Sequence, residues 1–394
     1  MKLQDVLLNA MAGKMSWIEA AEVLGLSART LRRWRYKFRC HGFDGLQDRR
    51  RRSPSHRAVP ERELTRWLTL YRRRYRGYNV RHFYALLKRR HRCRRSYSLV
   101  LRALQGAGLV RKQRPRGRHF LRREPRPRLG ELLHLDGSRH PWLALRPGDY
   151  QCLIAVVDDA SRRLLYARLC EGETSEDVMT ALRAVIQRHG LPQSLYTDRA
   201  GWAARTPKQG EPVDKTQLTQ VGRALKRLGI EHILAYSPQA RGRSERVNGT
   251  LQGRLVPELK SQGIRTLERA NRYLEQVFLP AHNDEFARPP REPDSCFVPL
   301  GPVDLEQILC HQEERIVGKD NVVQLDAVRL QIAKQPGRPT WAGQPVLVRR
   351  HLDGTHTVWA GARLLGRYSP NGRALSREEV LTQHPVAPTH AAVA

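Results

Sequence analysis

Acidic residues are scarce at the front of this 394-residue chain. Residues 1–130 hold 8 of them against 36 Lys and Arg, a net of +28, whereas the other 264 residues carry 30 acids and 35 bases, a net of +5. An Arg-dominated excess of this kind is the footprint of a surface that neutralises phosphates. A solvated basic arm is the plainer reading, and the apolar periodicity running through the same residues counts against it. Cysteine is also sparse. Cys40, Cys93, Cys152, Cys170, Cys296 and Cys310 form no CxxC pair, and no pair of histidines at zinc-finger spacing accompanies them. That excludes a disulfide frame or zinc ribbon and leaves free thiols in a reducing compartment. No apolar run reaches about 18 residues, so no membrane partner is expected, and with no signal peptide the expected location is cytoplasmic. Nothing repeats at a solenoid period, and the length suggests two to four domains.

The basic front end is patterned. In "SWIEAAEVLGLSARTLRRWRYKF", Ser16 and Glu19 form a capping box that starts one helix, Gly25 stops it, and Ser27 can cap the next. Ile18, Ala21, Val23 and Leu24 are the expected inner face of the first helix; Leu31, Trp34 and Phe38 follow on the second. The second helix then presents Arg29, Thr30, Arg32, Arg33 and Arg35 outward, the pattern of a helix-turn-helix whose recognition helix enters the major groove of double-stranded DNA. The alternative is a helical hairpin with a solvated basic face. This domain is expected over 1–48, with a basic linker over 49–60. Three further helical patterns over 61–110 suggest a second helix-turn-helix unit, followed by an Arg/Pro-rich linker over 111–130 that is expected to be extended and ordered only on DNA.

Composition changes at residue 131. "ELLHLDGSRHPWL", "YQCLIAVVDDAS" and "RRLLYARLC" read as three strands, followed by an amphipathic helix ending at Gly190, a short strand "QSLYTDRAG", another helix, and a fifth strand "IEHILAYSP". A meander followed by alternating helices and strands predicts an α/β core with a mixed five-stranded sheet over 131–290. Asp136 lies in the first strand, Asp198 ends the fourth, and Glu245 opens the helix after the fifth, within the Arg-rich "YSPQARGRSERVNGTLQ". Ligands collect at such strand ends in open α/β sheets. Three acids converging among arginines need cations between them, and two Mg2+ ions would meet that need and serve phosphoryl transfer. Alone, Glu245 would read as a partner for a helix dipole. Asp158 and Asp159 read as turn residues, His134 as a packed histidine, and Glu171, Glu173, Glu176 and Asp177 as acids suited to a helix start.

The segments "LLHLDGS", "LYTDRAG" and "YSPQARGRSERVNGTLQ", in this order of elements, resemble the ribonuclease H-like core of DDE transposases and retroviral-type integrases. The whole chain resembles the transposases of bacterial insertion sequences that carry this core. The resemblance implies metal ligation and catalysis by Asp136, Asp198 and Glu245, with two Mg2+ ions that Mn2+ can replace. It also implies DNA contacts by Arg241, Arg243 and Asn248, double-stranded element ends and target DNA as partners, a homo-oligomer on that DNA, and a place on the bacterial nucleoid. After a Pro-rich linker over 291–314, the alternating segments of 315–380 are expected to form a small SH3-like β-barrel before a disordered tail over 381–394. Two features depart from the integrases. Forty-six residues separate Asp198 from Glu245, the surplus falling in the Gly- and Pro-bearing "WAARTPKQGEPVDK", and helix-turn-helix units stand where a His-His-Cys-Cys zinc module would be. The implied activity is metal-dependent 3′-end cleavage and strand transfer. A catalytically inactive DNA-binding regulator and a nuclease with the same core are the alternatives.

Overall fold

A computed structural model describes residues 3–46, 59–112, 124–144, 148–205, 217–235 and 242–376, without the side chains of residues 3, 4 and 242–245. The chain divides into two compact units, Met1–Thr69 and Leu70–Ala394. The first holds α1 (Leu3–Met11), α2 (Trp17–Leu24) and α3 (Ala28–His41). Both expected caps form. Ser16 and Glu19 close a capping box, Gly25 ends α2 in the left-handed region at φ 62°, and Ser27 accepts from the Thr30 N–H. The turn between them is short enough to bury Ala20 and Ala21 of α2 against Leu31 and against Val6, Leu7 and Ala10 of α1. The expected inner face of α2 is corrected here: Ile18 and Val23 are exposed (69% and 51%), because α1 covers the alanine side of the helix instead.

The division between the units falls within α4 (Glu61–Arg73). The second unit continues with α5 (Val80–His91), capped by Asn79, and α6 (Tyr97–Gly106). Phe83 meets the ring of Tyr71 edge-on and that of Tyr75 at a tilt.

The core of this unit is a five-stranded sheet with the order β3-β2-β1-β4-β5. Its strands are β1 (Leu132–His140), β2 (Gln151–Asp158), β3 (Leu164–Cys170), β4 (Ser194–Thr197) and β5 (Glu231–Leu234). The first three form an antiparallel meander, and β4 and β5 add in parallel to the other side of β1. Every residue of β2 is buried, as expected of an apolar run covered on both faces. On one face Leu133, Leu135, Ile154 and Val156 meet α7 (Ser175–His189) and α8 (Gln220–Arg227). On the other, Leu153, Ala155 and Leu169 meet α9 (Gly242–Ser261), α10 (Leu267–Tyr273) and the π-helical turn Leu274–Phe278 that runs on into α11 (Leu279–Phe286). The alternation of the strands supplies both faces at once.

Two expected linkers differ. Within the Arg/Pro segment, residues 113–123 lie outside the described residues, but 126–130 are held on the core: the Arg126 N–H donates to Asp159 and Leu129 pairs with Ser295 and Cys296. The Pro-rich stretch after α11 pairs Val298 with Leu191 and sends α12 (Leu305–Ile308) into the α7 face of the core. Apolar Phe297 and Leu300 between the prolines, and Leu305 and Ile308 after them, make this stretch part of the packing.

In the region of the expected small barrel the strands form two hydrogen-bonded sheets. The strands β6 (His311–Ile316), β9 (Pro345–Arg350), β10 (His356–Ala360) and β11 (Arg363–Tyr368) form an open antiparallel sheet of order β11-β10-β9-β6. The hairpin β7 (Val322–Leu325) with β8 (Val328–Gln331) is hydrogen-bonded separately. The two share one apolar interior around Val323, Val348, Val358 and Tyr368, but hydrogen bonding does not close them into a ring. "LDGT" makes the β9–β10 turn as predicted, with Gly354 at φ 84°.

The doubly covered sheet predicts a measurable cost for core truncation. Leu153 is fully buried on the α9 side. Leu153→Ala should cost about 3 kcal/mol, and Leu153→Met under about 1.5 kcal/mol, read as shifts in the midpoint of urea unfolding.

Candidate active site at the ends of the central strands

The parallel register of β1 with β4 pairs Leu132 with Ser194, Leu133 with Leu195 and His134 with Tyr196. Two residues further along both strands stand Asp136 and Asp198. Adjoining strands run about 4.8 Å apart, so the two acids are set side by side in the fold. Asp198 directly follows the last residue of β4, and its Oδ1 accepts from the Ala200 N–H at 2.9 Å, which turns the chain away from the sheet. Behind it, the Thr197 hydroxyl donates to the Asp198 carbonyl oxygen at 2.9 Å and accepts from His232 Nε2 at 2.8 Å. Burial holds the His232 imidazole below its ordinary pKa, so the neutral ring serves as that donor.

Helix α9 lies along the face of β1 that carries Asp136. Asn248 Nδ2 donates to Asp136 Oδ2 at 2.8 Å, and one turn on, Gln252 Nε2 donates to Ser138 Oγ at 3.1 Å. Positions four apart on a helix thus match positions two apart on a strand. Leu251, Leu255 and Leu259 bury the neighbouring stripe of the helix. Glu245 occupies the first turn of α9, three residues before Asn248 and so on the same helical face. Its side chain and that of Arg243 lie outside the described residues, as does Arg241 altogether. Among the described residues no three His, Cys, Asp or Glu side chains gather to hold a metal ion.

The acids read as local turn residues have structural partners. Asp158 is fully buried and accepts from the Gly130 and Ser161 N–H groups and the Ser161 hydroxyl; Asp159, also fully buried, accepts from the Arg126 N–H and pairs with His134 Nε2 at 2.9 Å. His134 is buried and packs on Tyr196, as a packed histidine should.

On α3, Arg29, Arg32 and Arg33 are exposed. Thr30 and Arg35 are half-buried and engaged within the domain: the Thr30 hydroxyl lies 2.9 Å from Ser27 Oγ, and the Arg35 guanidinium stacks 5.1 Å from the Trp17 ring centroid. Asn248, expected to contact DNA, donates from its amide to Asp136.

One polar cluster has no counterpart in the sequence reading. His82 of α5 donates from Nε2 to Glu258 of α9 at 2.6 Å, the Tyr273 hydroxyl donates to the same carboxylate, and the Tyr78 hydroxyl lies 2.9 Å from both the Pro257 carbonyl oxygen and Ser261 Oγ. These contacts span some 180 positions of sequence, and no spacing rule connects them. They fasten the helices after residue 70 to the far end of α9, the helix that carries Glu245 in its first turn.

A helix-turn-helix domain family matches residues 2–54. The Sinorhizobium fredii protein y4bF, named as a transposase, is 30% identical over 366 residues, covering 91% of this chain and 79% of its own length. This chain belongs to the insertion-sequence transposases. A second relative of the transposase, that of the insertion sequence IS1202 from Streptococcus pneumoniae, is 30% identical over 310 residues, 70% of this chain and 65% of the relative. Among solved structures, the HTLV-2 integrase catalytic core domain in complex with magnesium is similar at 19% identity over 38% of this chain and 89% of that one, with a TM-score of 0.28. Among the described residues of the transposase, no helix is long and apolar enough to cross a membrane.

The buried cluster generates a pH prediction. Burial pushes the Glu258 carboxyl up, but the hydrogen bonds from His82 and Tyr273 outweigh it and hold the group below its ordinary 4.5. A depressed carboxylate adds stability above its unfolded pKa and loses it as pH falls through the folded value. Glu258→Gln should therefore flatten the acid limb of Tm against pH below 4.5. His82→Ala, which leaves the buried carboxylate without that partner, should cost about 3 kcal/mol near neutrality.

Proposed function

We propose that this transposase is of the DDE type, cutting the 3′ ends of its element and joining them to target DNA with Asp136, Asp198 and Glu245 as its metal-binding triad. The observation that carries the reading is the parallel register that brings Asp136 and Asp198 to adjoining strands under the start of α9, the helix holding Glu245. The donor set fits a hard divalent cation: carboxylate oxygens, with Asp136 oriented by the Asn248 amide and Asp198 by its own turn. Two such ions, Mg2+ or Mn2+, would activate the attacking oxygen and stabilise the leaving one.

In this reading Asp136, on the central strand, together with Asp198 and Glu245, would hold the ions. Arg241 and Arg243, close in sequence to Glu245, hold the phosphate backbone near the scissile bond. Water is the nucleophile at the element's end, and the freed 3′-OH takes its place on target DNA by in-line displacement, so no covalent intermediate with the protein forms. Exposed Arg29, Arg32 and Arg33 of α3 read the double-stranded ends in the major groove. Two ends are joined by at least two copies of the chain.

A mobility assay tests the proposal. A marker flanked by the gene's own flanking DNA is supplied with wild-type protein or the Asp198→Asn variant, and new junctions are sequenced. Wild type should give junctions with short target duplications. Asp198→Asn should give none while retaining specific binding to the flanks. Junctions from the Asn variant would sink the triad. No junctions from either protein, with binding intact, would make the chain a regulator.

A further inference from the structure

On the sheet face opposite Asp136, the next residue of β1 is Gly137. A Cβ built on it would lie 2.3 Å from Cδ and Oε2 of Glu173 and 2.6 Å from Oε1. The Glu173 carboxylate thus fills the place where a side chain at 137 would stand, and any larger residue must expel it. The same carboxylate accepts from Trp202 Nε1 at 2.8 Å. Trp202 is 7% exposed and packs in the α7-side core, in the loop that Asp198 opens. Glu173 itself sits between the end of β3 and Thr174, the cap of α7, so it projects from a fixed helix start.

One side chain therefore touches both segments that carry the paired acids. It meets β1 one residue after Asp136 and the following loop four residues after Asp198. The hydrogen bond joins a buried indole to a half-buried carboxyl group, and a partly desolvated bond of this kind is stiffer than an exposed one. Burial first, and then chiefly the Glu173 carboxylate, push the neighbouring Cys152 thiol up to about 12.

We propose that Glu173 is a positioning residue for the Asp136–Asp198 pair: it braces β1 at Gly137 against the Asp198 loop at Trp202, and so sets the separation of the two carboxylates and their affinity for a divalent cation. The proposal rests on the reading that this pair binds metal. A helix-start acid with no further role is the alternative it competes with. Groups that orient metal ligands from behind are worth about 10- to 100-fold in metal affinity.

The test uses the full-length protein, with Mn2+ binding measured by electron paramagnetic resonance and strand transfer measured on pre-cut end DNA. Glu173→Ala and Trp202→Phe should each weaken Mn2+ binding by about tenfold, and the double variant should be no worse than either single one. Glu173→Gln keeps the volume and the acceptor for the indole and should bind Mn2+ within a factor of about two of wild type. Gly137→Ala should match Glu173→Ala. In strand transfer the loss should fall on kcat, with KM for end DNA unchanged. Wild-type Mn2+ affinity in both Glu173→Ala and Trp202→Phe overturns the brace, as does a Glu173→Gln variant as impaired as Glu173→Ala, which would make charge the cause. Should Glu173→Ala fail to fold, Trp202→Phe, which removes the indole N–H and part of the ring while keeping an aromatic side chain in the core, carries the test. Asp198→Asn separates the two readings. If it binds Mn2+ as wild type does, the triad itself is wrong; if it loses Mn2+ while the Glu173 variants do not, only the brace fails.

Discussion

The parallel pairing of β1 with β4 is the constraint on which the rest of this transposase depends. A meander alone would leave the far edge of β1 open and Asp136 with no acid beside it. Parallel pairing demands a crossover, and α7 supplies it, passing over one face of the sheet before β4 returns beside β1. The crossover covers one side of the fully buried β2, α9 covers the other, and the two acids arrive at neighbouring strand positions as a result. The site's geometry is thus a by-product of closing the core.

Much of this was legible from local chemistry. Caps announce themselves within four residues, so Ser16, Glu19, Gly25 and Ser27 could be read directly and all behave as read. Strands β1 to β5 follow from alternation and apolar runs, and with them the placing of Asp136 and Asp198. What escaped depends on distant partners. Ile18 and Val23 look like core residues on a helix drawn alone, but α1 presses on Ala20 and Ala21 instead. The prolines around Phe297 suggested a tether, although the apolar residues between and after them pack into the core. Asn248 and Glu173 each read plausibly as something local, a DNA contact and a helix-start acid. Their contacts with Asp136 and Gly137 exist only once helices and sheet are assembled. The open C-terminal sheet escaped for a similar reason, since alternation predicts strands but not whether the first and last of them meet.

Charge is divided in the same way as structure. The first 130 residues hold almost all of the net positive charge, and the rest is nearly balanced. Within the balanced part the arginines are spent on carboxylates and carbonyls: Arg254 on Glu285, Arg350 on Glu176, and Arg223 on the carbonyls of Ile308 and Cys310. Burial lowers the pKa of Arg223, yet those two carbonyls and the Gln220 pairing with Gln312 bind the C-terminal sheet to α8. Arginine therefore gives one end of the chain its net positive charge and serves as internal mortar at the other.

The fastening of α9 at Glu258 turns that helix into a lever. From Glu258 back to Glu245 is about 20 Å at the rise of an α-helix, so each degree of tilt about the His82 contact moves the first turn by roughly a third of an ångström. Reactive constellations tolerate errors of about 0.5 Å, a tilt of under two degrees. Pro257, which withholds an N–H from the helix beside this fulcrum, is where such a tilt costs least. Whatever grips α5 from outside therefore has a hand on the far end of the rod.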